Sequence, residues 1–373
     1  MPMRTGYRGP LAVIAAGVAL FMCSVRPATA QQAKGTVVLD GQSPGRRFDG
    51  LGAVSAGASS RLLIDYPEPF RSQILDYLFR PRYGAALQHL KVEIGADVNS
   101  TDGSEPSHMR TPGDHDYTRG YEWWLMAEAQ KRNPRIELDT LPWGAPGWIG
   151  HETLYKPAMV GYVVDFLKGA KDTNGLSIAY TGVWNEKQYD ATYVRQLHDA
   201  IKQRSLPTKL VCCDEYPGEG RGQWSIVDAM QKDPTLHEAI DVVAVHYPQE
   251  NGRLTTPETA KRVGRPLWSS EDQPNSGSGP IVSRDWAVDG RILANLYNRN
   301  YLEGALTKTE IWSPVASYYD ILAAPNSGLK RVSSVTIRSG YYAPVRRTTA
   351  ALISGSHIRV PFPSVTSPYQ IRR

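Results

Sequence analysis

The sequence predicts a (β/α)8 TIM barrel, within an α/β fold class, on three observations. The chain has 373 residues, enough for one large core of the size such a barrel needs. Eight short apolar or β-branched runs punctuate it. Nearly all of them are separated by helix-length segments, an alternation that favours a closed parallel barrel over an open doubly wound sheet.

Residues 1–30 read as a signal peptide rather than as part of the fold. Arg4 and Arg8 make a positive start, 11–21 is apolar, and Ala28-Thr29-Ala30 forms a small-residue cleavage site. The apolar run is shorter than the roughly 20 residues of a membrane helix. Cleavage after Ala30 predicts a secreted or periplasmic protein with no transmembrane segment. Residues 31–47 form a lead-in with a short accessory strand at 36–40.

The barrel domain is expected over 48–344. Its strands are read at 48–55, 87–95, 136–143, 178–186, 209–215, 241–248, 266–272 and 306–314. Helical patterns fall at 68–79, 120–132, 158–171, 191–203 and 286–302. Past Gly328 the periodicity fades, and 345–373 reads as a divergent, flexible, basic tail.

The formal net charge of +5 is carried by the chain ends. The leader holds three arginines and no acid, and 330–373 holds eight Lys or Arg and no acid, leaving 31 basic against 37 acidic residues in 31–329. The body is therefore mildly acidic, which argues against a nucleic-acid partner. Beyond the leader the cysteines are Cys212 and Cys213, adjacent in an apolar run, so no disulfide framework is expected.

A TIM barrel gathers its chemistry at the C-terminal ends of its strands. The fourth predicted strand ends in Trp184-Asn185-Glu186, and the seventh ends in Ser270-Glu271-Asp272. Two glutamates so placed would face each other across the mouth. Glycoside hydrolysis with retention needs that pair, with carboxyl groups about 5–5.5 Å apart. Glu186 would be the proton donor and acceptor, and Glu271 the nucleophile. A surface acid at a strand end is the bland alternative for either residue alone.

Trp143 ends the third predicted strand and Trp312 lies in the eighth, where indole rings could carry the apolar face of a pyranose or simply pack. Asn185 is positioned to bind a sugar hydroxyl, and Tyr247 to hold the Glu271 carboxylate. His246 beside Tyr247 reads as a satisfied barrel histidine rather than a catalyst. His151-Glu152 lacks the second histidine of a zinc-protease motif, since Tyr155 stands there, and Gly50-Leu51-Gly52 lacks the third glycine of a dinucleotide fingerprint. No cofactor or metal is expected.

The sequence at this point resembles the galactocerebrosidases (galactosylceramidases) of glycoside hydrolase family 59, in their N-terminal and barrel portion. The match is carried by Phe48-Asp49-Gly50, Ser60-Arg61-Leu62-Leu63, Tyr66-Pro67-Glu68-Pro69 and Arg71-Ser72-Gln73-Ile74-Leu75-Asp76-Tyr77. It continues through Lys91-Val92-Glu93-Ile94-Gly95, Thr101-Asp102-Gly103, Glu105-Pro106-Ser107-His108-Met109 and Arg119-Gly120-Tyr121-Glu122-Trp123-Trp124. Trp184-Asn185-Glu186, His246-Tyr247-Pro248 and Leu267-Trp268-Ser269-Ser270-Glu271-Asp272 complete it.

The resemblance implies hydrolysis of the β-galactosyl bond of galactosylceramide and related β-galactosides, and so a part in sphingolipid breakdown with transient contact at a lipid surface. It places the family's proton donor on Glu186, its nucleophile on Glu271 and its sugar contacts on Thr101, Trp143 and Asn185. Trp312 matches its tryptophan on the last strand. From about Arg346 the sequence is unlike the family, whose β-sandwich and lectin-like domains it does not continue, so weaker use of lipid than of small soluble galactosides is expected. A related retaining β-glycosidase of other sugar specificity, and a non-catalytic sugar-binding barrel, remain as alternatives.

Overall fold

The computed structural model describes residues 42, 45–57, 59–100, 103–150, 155–218, 222–250, 252–273 and 286–312. The expected signal peptide, the strand expected at 36–40, Thr101 and the tail lie outside them. The strands run β1 (Gly50–Ser55), β2 (His89–Ile94), β3 (Glu137–Pro142), β4 (Ile178–Thr181), β5 (Lys209–Glu215) and β6 (Val242–His246). A short hairpin of β7 (Gln249–Glu250) and β8 (Arg253–Leu254) follows, then β9 (Leu267–Asp272) and β10 (Leu306–Trp312). All but the hairpin close into one barrel of parallel strands, ordered β1-β10-β9-β6-β5-β4-β3-β2. The (β/α)8 expectation holds.

The helices between strands are α1 (Ser59–Asp65), α2 (Phe70–Phe79), α3 (Glu122–Arg132), α4 (Pro157–Asn174), α5 (Ala191–Gln203), α6 (Ser225–Lys232), α7 (Pro234–Ala239), α8 (Glu258–Lys261) and α9 (Trp286–Leu302). Local chemistry explains several ends. Pro157 sits in the first turn of α4, and Gly175, at φ +67°, closes it by donating to the carbonyls of Ala170 and Lys171. Asp190 caps α5 by accepting from Tyr193 N–H, and Asp233 caps α7 by accepting from Thr235 and Leu236 N–H. No helix among the described residues is long and apolar enough to cross a membrane.

Most of the apolar core lies between barrel and helices, where Phe79, Leu90, Met126, Val163, Leu197 and Val243 are buried together. The barrel interior is different. Trp268 and Tyr180, with ring centroids 4.7 Å apart, pack there with Val211, Val242 and Ala244. Above them sit charged side chains rather than further aliphatic layers.

Two local expectations are corrected. The fourth strand, read as 178–186, ends at Thr181, and the chain passes its neighbours at Gly182 in a space that admits no side chain. A Cβ there would lie 2.3 Å from Leu141 Cδ1 and 2.7 Å from Asp214 Oδ2. Cys212 and Cys213, both fully buried on β5, are bonded to each other although they are sequence neighbours.

Candidate active site

Beyond β4 the chain keeps alongside β3, with Gly182 N–H donating to Thr140 O at 2.7 Å and Asn185 N–H to Pro142 O at 2.9 Å. This carries Glu186 to the barrel mouth. Its backbone is left-handed, at φ +52°, as are Asp214 at +53° and Tyr247 at +49°. Non-glycine residues in that region cost on the order of 1 kcal/mol or more each and recur at functional sites. The Glu186 side chain is 27% exposed, so solvent reaches it.

Glu271 is on β9, its side chain 6% exposed. A bulge in the β6–β9 register between Val245 and His246 sets His246 opposite Glu271. One residue on, Tyr247 N–H donates to Glu271 O at 2.8 Å and the phenol donates to Glu271 Oε1. Gln223 fixes this strand end by donating to the carbonyls of His246 and Tyr247. Glu271 Oε2 is buried without a hydrogen-bond partner.

One oxygen of Glu186 and one of Glu271 lie within 4.8 Å of each other, with His246 inside the same group. His246 Nδ1 is 3.1 Å from Glu186 Oε1 and 3.6 Å from Glu271 Oε2, while Nε2 is 3.1 Å from Asp214 Oδ1. Burial alone would lower the imidazole, but the Glu271 charge and the hydrogen bonds to Asp214 and Glu186 overcome it and hold the pKa up at about 9. For Glu271, burial pushes the carboxyl up, with neighbouring Glu186 adding to it, against the pull of His246, Tyr247 and Lys91. Burial and the Glu271 charge keep the Tyr247 phenol well above its usual range, so it stays a donor.

Below the mouth, a small pocket is lined by residues that include Lys91, Asp139, Asp214, Lys308 and Glu310. Lys91 Nζ lies 2.7 Å from Asp214 Oδ1 and 3.8 Å from Glu310 Oε2. Lys308 pairs with Asp139 and lies 3.1 Å from Glu310 Oε1. His89, Asp139 and Glu310 have the spacing of a metal-ligand set. The Lys308 ammonium is already in contact with all three, which does not suit a cation there.

Trp143 and Trp312 come together with Val54 and Ala56 at the ends of β3, β10 and β1. Asn185 Oδ1 is buried with no hydrogen-bond partner, an acceptor open to a ligand hydroxyl. Ser100, next to the undescribed Thr101, donates to Glu93 Oε2 at 2.6 Å. Glu93 belongs to a set of three buried carboxyls with Glu105 and Glu122, each with one oxygen bonded and the other lacking a partner. Burial pushes Glu93 and Glu122 up to about 8 and Glu105 well above the ordinary range.

The sequence profile of Glycosyl hydrolase family 59 matches residues 48–353. The chain belongs to glycosyl hydrolase family 59. It is 44% identical over 315 residues to galactocerebrosidase of Danio rerio, covering 83% of this chain and 45% of that protein. It is 45% identical over 302 residues to galactocerebrosidase of Homo sapiens, covering 79% of this chain and 41% of that protein. The chain thus spans less than half the length of the curated relatives it matches.

Among solved structures it is similar to a conserved exported protein from Bacteroides fragilis, at TM-score 0.61 and 16% identity over 74% of this chain and 71% of that one. SrfJ from Salmonella typhimurium gives a TM-score of 0.59 at 14% identity over 73% and 66%. At such identities these two likenesses show the fold alone.

In this family 59 barrel, sequence reasoning passed over His246, Asp214 and Lys91. A usable signal was present. β2 carries His89, Lys91 and Glu93 at every second position, and β10 carries Lys308, Glu310 and Trp312 likewise. In a closed barrel, alternate positions on a strand share one face, so charges at that period in otherwise apolar strands mark a polar interior.

Proposed function

We propose that this chain is a retaining β-galactosidase that hydrolyses the galactosyl bond of galactosylceramide and related β-galactosides. The observation that carries the reading is the Glu186–Glu271 pair, with carboxylate oxygens within 4.8 Å at the mouth of the barrel. Inverting enzymes need roughly 6.5–9.5 Å between carboxyl groups to admit a water, and retaining enzymes about 5–5.5 Å. Membership of family 59 and identity to galactocerebrosidases support the sugar and the lipid class.

In this mechanism Glu271 Oε2, which has no hydrogen-bond partner, attacks the anomeric carbon. Glu186, solvent-accessible, protonates the departing oxygen. A galactosyl ester of Glu271 forms. Glu186, now ionised, takes a proton from water, which attacks the anomeric carbon, breaks its bond to Oε2 and frees galactose and the Glu271 carboxylate. Tyr247 fixes the second oxygen of Glu271 throughout. Asn185 offers its free acceptor to a sugar hydroxyl, Trp143 and Trp312 stand at the mouth as ring platforms, and the family resemblance adds Thr101 as a sugar contact.

The test is a panel of aryl β-glycosides, with the product anomer followed by NMR. β-Galactose as first product from the β-galactoside supports the proposal, and α-galactose contradicts it. Faster turnover of a glucoside or fucoside would move the specificity elsewhere within retaining β-glycosidases. We also propose export, with the mature chain beginning at Gln31, as Ala28-Thr29-Ala30 suggests. Mass spectrometry of exported protein should find that N-terminus; an intact Met1 would contradict it.

A further inference from the structure

His246 is held by a hydrogen-bonding constraint. Its ring is fully buried, and both nitrogens face carboxylates: Nδ1 meets Glu186 at 3.1 Å and Glu271 at 3.6 Å, and Nε2 meets Asp214 at 3.1 Å. A neutral imidazole has one donor and one acceptor, and an acceptor nitrogen against an ionised carboxylate is repulsive. The arrangement is satisfied when both nitrogens carry hydrogen.

Asp214 is built to be the fixed anion of this arrangement. Its Oδ1 accepts from Lys91 Nζ at 2.7 Å and from Ser270 Oγ at 2.7 Å, besides facing His246. Asp214 and Lys91 are buried; Asp214 meets the catalytic pair through the imidazole, while the Lys91 charge also pulls on Glu271 directly. Burial would raise the Asp214 carboxyl, yet the Lys91 charge and the His246 hydrogen bond hold it well below the usual range. The other charged or titratable groups around the ring are Tyr247, whose ring is edge-on at 5.9 Å, and Asp272, whose Oδ2 is taken by Ser269 and Asn300. Glu310 faces the far side of Lys91.

We propose that Asp214, anchored by Lys91, is a positioning residue that keeps His246 a double donor, and that this fixed imidazolium holds Glu271 ionised and orients Glu186 for proton transfer. This rests on the reading of Glu271 as nucleophile and Glu186 as acid. The row Lys91, Asp214, His246 joins β2, β5 and β6 to the two carboxyls, so a charge inside the barrel sets the working pH at its mouth.

The experiment compares wild type, Asp214→Asn, His246→Gln and the double variant on an activated aryl β-galactoside. Asn is isosteric with Asp; it removes the charge and exchanges one acceptor oxygen for an NH2 donor. With Asp214 gone the imidazole no longer keeps its second proton, and loss of that positive charge beside Glu271 should move the acidic limb of kcat/KM upward by about one pH unit or more. His246→Gln should move it in the same direction, and Asp214→Asn should add no further shift in that background. A folded Asp214→Asn variant with an unchanged pH profile and a uniformly lower kcat overturns the proposal, as do additive shifts. A readout independent of turnover, and of whether Asp214→Asn folds, is NMR titration of the His246 ring in the wild type. It should remain protonated to above pH 8; titration near 6.5 overturns the proposal even in a fast enzyme. A wild type that hydrolyses no β-galactoside but keeps the high titration sinks the functional reading and leaves the positioning of His246 standing.

Discussion

Tyr247 holds Glu271 twice, its N–H donating to the Glu271 carbonyl at 2.8 Å and its phenol donating to carboxylate Oε1. The first contact aligns the ends of β6 and β9, and the second leaves Oε2 as the oxygen without a hydrogen-bond partner. Tyr247→Phe removes only the second. A hydrogen bond to a charged group contributes about 1.5–3 kcal/mol, so kcat/KM should fall roughly 10- to 100-fold. The acidic limb of the pH profile should move upward as Glu271 loses a donor to its ionised form. Unchanged kcat/KM at the optimum would show that the phenol does not serve the nucleophile.

Glu186→Gln removes a transferable proton while keeping the shape. The need for acid assistance grows as the leaving group becomes more basic. Turnover of an alkyl β-galactoside should fall by about two orders of magnitude more than that of a dinitrophenyl one. Equal losses on both substrates would assign Glu186 to binding rather than proton transfer.

Stability should peak in mild acid. Burial raises Glu93 and Glu122 to about 8, Glu215 and Glu310 to about 7, and Asp272 to about 6. A carboxyl raised in the fold binds its proton more tightly there, so its contribution is full below an unfolded value of about 4.5 and is lost as pH rises through the folded value. His108 works the other way: burial depresses it to about 4, so its contribution is lost as pH falls from about 6.5 through 4. The midpoint of thermal unfolding should drop by about 5 °C or more from pH 5.5 to 8.5. Glu122→Gln should flatten that slope. A midpoint that rises over the same interval would contradict the assignment of buried protonated carboxyls.

The barrel was legible because most of its strands are buried on both faces and several read as short apolar runs bounded by polar turns, as Lys209–Glu215 does. The long helix Trp286–Leu302 was legible from its period, whereas α6, α7 and α8, of 8, 6 and 4 residues, are too short to show one. Glu186 and Glu271 stood out because each ends such a run. Lys91 and Asp214 did not, since their pairing joins positions 123 apart in sequence and is created only when the sheet closes. His246 was read as structural because nothing in Val-His-Tyr-Pro tells that both its nitrogens meet carboxylates.

The most direct measurement is chemical rescue of Glu271→Gly by azide on an activated aryl β-galactoside. Removing the nucleophile should abolish turnover, and azide in the vacated space should restore it by attacking from the face Glu271 used. The account predicts α-galactosyl azide, with inverted configuration, as the product. A β-galactosyl azide, or a Glu271→Gly protein that still turns over without azide, would contradict it.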